Sequence, residues 1–169
     1  FPFLINPDQL MNTGQGAGKL QEIWPMLNAR SFLLVWWQNV RALLLSMLIG
    51  IFTFGVVGVM PLMLTMGLAG YLMGVIAHAG LNVFPYVVGL LLPHGIIEIP
   101  AAILATAAVL HAGAALATPD PDRTVGEVWL ASLADWAKVL LGVVIPLLLV
   151  AAAVEVWITP RIALLMLAR

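Results

Sequence analysis

Between Arg41 and Glu98 lie 56 residues without a single Asp, Glu, Lys or Arg. None occurs between Glu98 and Asp120 either. A helix needs ~20 apolar residues to cross ~30 Å of hydrocarbon, and this run holds more than one such length. A surface built from it could not face water. Over the whole chain only 9% of residues are charged and 63% are hydrophobic, against roughly 25% charged in a soluble domain. The expectation is an integral membrane protein of the all-α class: a polytopic transmembrane helical bundle in the cell membrane, with about four spans in this chain.

Charge and cysteine content narrow the function classes. The net charge is −1 and no basic tail or block occurs, so nucleic acid is not an expected partner. The chain has no cysteine. Disulfides, thiolate catalysis and Cys-ligated metals are therefore excluded. The chain opens on Phe1, with no charged n-region and no cleavable signal pattern, and reads as a piece of something longer.

Residues 1–36 form a polar to amphipathic, interfacial segment, and 37–169 the transmembrane domain. Asn6-Pro7-Asp8 and Gly14-Gln15-Gly16-Ala17-Gly18 are turn and linker composition. Lys19 to Trp37 suits a helix at the interface. The first span is expected from about Trp37 to Val59, the second from Leu62 to Ala79. The third follows Asn82-Val83-Phe84-Pro85 and reaches about Gly113. After Thr118-Pro119-Asp120-Pro121-Asp122-Arg123, Thr124 and Glu127 have capping-box spacing and start a helix. Its membrane part runs from Val139 to about Ile158. All six tryptophans fall outside the expected hydrocarbon centres, as an aromatic belt would.

Glu98 is an ionisable residue in the middle of this apolar run, and such residues are functional candidates by default. His94 is four residues earlier, so the two share a helix face. Pro93 suits a first helical position. Pro100 cannot donate to the carbonyl of Ile96 and crowds it, so the third span is expected to be kinked at Pro93 and Pro100. With a start near Tyr86, Glu98 lies about 18 Å along the helix, close to mid-membrane.

Four readings of the pair stand open: a proton or ion relay, a metal site, substrate gating at a broken helix, and a structural lock in which Glu98 is neutral or hydrogen-bonded. No His-Glu-x-x-His, Gly-x-Ser-x-Gly, Walker loop or dinucleotide fingerprint is present. No catalytic residue, metal or cofactor is expected. Arg41 enters the first span and can snorkel to its edge, with Glu98 or Glu155 as candidate partners. Glu155, beside Trp157, is expected to be interfacial and solvated. His78 and His111 sit near span ends.

Gly67, Gly70 and Gly74, the last two a GxxxG, are expected to serve close helix packing. Ser46 and Gly50 share that spacing. Topology is read two ways. Lys19, Arg30, Arg41, Arg161 and Arg169 fall on one side of a four-span chain, and Arg123 and Lys138 on the other. The positive-inside rule then puts both ends in the cytoplasm.

Three blocks resemble the stage II sporulation protein M family over about residues 32–160. They are Asn39-Val40-Arg41 with the span through Gly50 and Gly55; Gly67-Leu68-Ala69-Gly70-Tyr71-Leu72-Met73-Gly74 with Ala79-Gly80-Leu81; and Leu92-Pro93-His94-Gly95-Ile96-Ile97-Glu98-Ile99-Pro100-Ala101. Glu155 to Pro160 resembles the family's closing segment. Where many members carry a Gly-Leu-Arg-Leu-Gly-like stretch, this chain reads Ala108-Val109-Leu110-His111-Ala112-Gly113, without the basic residue. The resemblance implies a helical bundle with a preceding span, which would put residues 1–30 outside the cytoplasm if the N-terminus ahead of that span is inside. It also implies a scaffolding role in envelope remodelling for sporulating members, and association with ABC-type transporters for others. The expected function is a non-enzymatic membrane subunit or scaffold. The alternative is a permease-like or proton-coupled transport subunit using Glu98. Expected partners are the lipid bilayer and proteins of a membrane complex, with a homo-oligomer as one form of assembly.

Overall fold

The computed structural model describes residues 29–118 and 121–167. The linker-like stretch up to residue 28 lies outside them. Among the described residues there is no strand, and four helices are long and apolar enough to cross a membrane. We label them α1 (Ala29–Phe52), α2 (Met60–His78), α3 (Val83–Ala117) and α4 (Val125–Met166). α1 already runs at Ala29, ahead of the expected start at Trp37, because Phe32-Leu33-Leu34-Val35 continues its apolar pattern. α4 continues through Pro160, past the expected end near Ile158.

The helix starts follow local chemistry. Asn82 caps α3 by accepting a hydrogen bond from the Phe84 N–H at 3.0 Å. Thr124 and Glu127 form the expected capping box at the start of α4. A short 3₁₀ turn, Val56–Val59, leads into α2. It follows Phe54 and Gly55, both with positive φ.

Three π turns interrupt the α geometry: Val87–Leu91, Leu140–Val144 and Val154–Ile158. Each ends two residues before a proline, namely Pro93, Pro146 and Pro160. A proline lacks an N–H, and its ring crowds the carbonyl four residues back; a wider turn upstream gives room. The first of these turns lies just ahead of Pro93, one of the two prolines where the third span is expected to be kinked. α3 carries through Pro100 in α geometry.

The core lies between α1, α3 and α4. Val40, Leu43 and Met47 of α1 meet Ala101, Ala105 and Val109 of α3 and Trp136, Leu140, Val144 and Leu148 of α4. Trp136, read from sequence as a belt residue, is in this core. α2 stands apart: none of its residues is buried.

Glycines allow the closest approaches. A Cβ on Gly50 would meet Val109 Cγ1 at 2.7 Å, and one on Gly58 would meet the same atom at 2.5 Å. Ser46 donates to the Gly58 carbonyl at 3.3 Å. Here the small-residue spacing of Ser46 and Gly50 is used as expected. A Cβ on Gly113 would overlap the carbonyl of Phe54. At Gly67, Gly70 and Gly74 no atom lies within 4 Å of such a Cβ. The close packing expected of those three glycines is therefore not made among the described residues, because α2 turns that face away from the bundle.

The contrast is testable. Gly113→Ala forces the Phe54 carbonyl to move, at a cost of about 1–3 kcal/mol, and should lower the unfolding midpoint in detergent. Gly70→Ala should leave the midpoint unchanged or raise it slightly, since Ala is the better helix former.

Candidate functional site

Glu98 lies about halfway along α3, one α-helical turn after His94 and on the same face. The two do not bond each other. Each takes a partner from another helix. Glu98 Oε1 accepts a hydrogen bond from Asn39 Nδ2 of α1 at 2.6 Å. His94 Nδ1 is 3.4 Å from Thr159 Oγ1 of α4, and Thr159 is buried.

Glu155 joins this cluster. It is half-buried and close enough to Glu98 for the two carboxyl groups to interact electrostatically. This corrects the expectation of a solvated interfacial residue. Trp157 does face outward and stacks on Phe32 of α1, with ring centroids 5.2 Å apart. Glu155, two residues earlier, is turned toward the bundle. α3 and α4 run antiparallel, so the two four-residue pairs face each other: His94 with Thr159, and Glu98 with Glu155.

Arg41 is exposed, and the donor to Glu98 is the asparagine two residues before it. Arg41 thus points away from the face that Asn39 presents, which corrects the candidate pairing with Glu98 or Glu155. His78 and His111 are exposed. Pro93 is the second residue of the regular part of α3, just before His94, and Pro100 is exposed two residues beyond Glu98. Trp36, one turn before Asn39, keeps its indole N–H buried without an acceptor among the described residues.

Asn39 is the residue that sequence reasoning passed over as a site member. Its signal was a carboxamide at the third position of the expected first span, which was read only as part of a family block. A carboxamide in such a place needs a partner, and the lone carboxylate needs a donor. The two needs match.

Chemically, the cluster is an amide, an imidazole, a hydroxyl and two carboxyl groups contributed by three helices. Neighbouring carboxyl groups repel when both are ionised, and a proton or cation between them relieves the repulsion. Among the described residues, no group of three or more His, Cys, Asp or Glu side chains is placed to hold a metal ion. Two small cavities lie elsewhere, one lined by Met47, Val109 and Trp129 and the other by Leu43, Thr106 and Trp136. Neither is lined by the cluster.

The fold and the site together define a membrane protein: among the described residues, an all-helical bundle with a half-buried polar cluster shared by three of its helices. The family model for Stage II sporulation protein M matches residues 5–160, and the chain belongs to that family. No curated protein and no solved structure shows significant similarity to the chain.

The Asn39–Glu98 bond should matter for stability. Asn39→Leu leaves the half-buried carboxyl group without its donor, a loss of about 1–3 kcal/mol. The double variant Asn39→Leu/Glu98→Leu removes both polar groups and should recover most of that loss, as read from unfolding midpoints in detergent.

Proposed function

We propose that this chain is a non-enzymatic, multi-pass subunit of a larger complex in the cell membrane, holding its protein partners in place. The observation that supports this reading most is the Asn39–Glu98 hydrogen bond at 2.6 Å. The carboxylate that marked the sequence as functional is tied to α1, and the histidine beside it reaches α4. Each contact is between helices, so the polar groups fasten the bundle. Side-chain hydrogen bonds between helices favour one arrangement of those helices over others. Membership in the Stage II sporulation protein M family agrees with a role among partner proteins of the envelope.

The proximity of Glu98 and Glu155 favours a second reading, a proton-coupled transport subunit in which the carboxyl pair carries the proton. Glu98→Gln separates the two. Gln keeps an oxygen that accepts from Asn39 but cannot release a proton in the working range. The scaffold reading expects the full chain and its Glu98→Gln variant to co-purify the same membrane partners. It also expects the same slow proton leak in liposomes carrying a trapped pH-sensitive dye. Faster proton entry with the unaltered chain, abolished in Glu98→Gln, would establish transport and refute a purely structural cluster.

A further inference from the structure

α4 buries a stripe at every fourth residue: Ser132, Trp136, Leu140, Val144, Leu148, Ala152 and Val156, followed by Thr159 and Ala163. A regular α-helix cannot keep such a stripe on one side. Four residues turn about 400°, so each step drifts by about 40°. Ser132 and Ala163 are 31 positions apart. An unbroken α-helix would turn about 3100° between them, about 220° beyond a whole number of turns. Its two ends would face opposite sides of the bundle.

The π turns at Leu140–Val144 and Val154–Ile158 remove this drift. Each takes up about one extra residue, or about 100°. Two of them leave the ends within about 20° of each other. Proline alone does not account for them, because α3 passes Pro100 in α geometry.

We propose that the π turn Val154–Ile158 is the register element of the polar cluster. It lets the Leu148–Ala152 face and the Thr159–Ala163 face pack at once, and so holds Glu155 against Glu98 and Thr159 against His94. Both sides of the turn are fixed independently. Upstream, Val144, Leu148, Ala151 and Ala152 are buried in the bundle. Downstream, Ala163 is clamped on the π turn of α3, where a Cβ on Gly89 would come within 3.1 Å of the Ala163 Cα. Only the turn between them can absorb the mismatch. Glu155 lies inside it, so the way the turn takes up the extra residue sets which way Glu155 faces. The proposal rests on the reading of these five side chains as one site.

Its test uses the absence of cysteine from the chain. A His94→Cys/Thr159→Cys pair in the full chain, oxidised in membranes, reports directly whether α3 and α4 are in register. Removing Ile158, an exposed residue of the π turn, converts the turn to α geometry without moving either flank. The cross-link should survive, and the protein should remain monodisperse in detergent. Removing Ile103, equally exposed but within the α-helical part of α3, has no such turn to absorb it between Glu98 and Val109. That deletion should lose the cross-link. Loss of the cross-link or of the folded protein on removing Ile158, to the same degree as on removing Ile103, overturns the register proposal. Failure of the undeleted cysteine pair to cross-link overturns the cluster itself.

Discussion

A carboxyl group halfway along an apolar helix needs a donor that the helix cannot supply. Within α3 every backbone N–H near Glu98 is committed to the helix, apart from the one Pro100 lacks. The donor must come from another helix, and Asn39 supplies it from α1. That requirement draws α1 onto the face of α3 where Glu98 points. His94 repeats it one turn away with Thr159 of α4. In lipid, apolar surface gives little preference for one helix pairing over another. Hydrogen bonds between defined side chains can supply that preference, and here they link the three helices that share the core.

The division of the bundle follows from the same logic. α1, α3 and α4 contribute to the cluster and to the core. Among the described residues α2 contributes to neither: it has no buried residue, and the Thr65 hydroxyl bonds back to its own helix, to the Pro61 carbonyl at 2.8 Å. Its glycines therefore do different work from Gly50, Gly58 and Gly113. Those three lie where α1, the following turn and α3 come into contact.

Much of this was legible in the sequence. Apolar runs of sufficient length gave the four long helices, Thr124 and Glu127 gave the start of α4, and the Pro93–Pro100 stretch gave two members of the site. Glu155 was misread because its neighbour Trp157 is a good interfacial residue. Local composition does not say that a π turn rotates Glu155 inward while Trp157 stays outside. Asn39 was missed because its partner is 59 positions away, and pairing at that distance leaves no local pattern. The glycine stripe of α2 shows the converse. The GxxxG spacing is a property of one helix, and whether a second helix covers it is decided by the rest of the bundle. The four-residue spacing of buried positions in α4 was visible in principle. It requires knowing which residues are inside, and in a helix this apolar hydropathy does not separate inside from lipid-facing.

Gly113 carries a consequence for how the bundle is assembled. The Phe54 carbonyl rests where any side chain at Gly113 would be, so the turn after α1 is seated on a residue made some sixty positions later in the chain. α1 and α2 are complete before that seat exists. α1 and α2 must therefore wait with the turn between them unsupported and Asn39 without Glu98 until α3 is made. Insertion and final packing become separate events in time, and any factor that holds the early helices apart or together in that interval acts on a half-built protein.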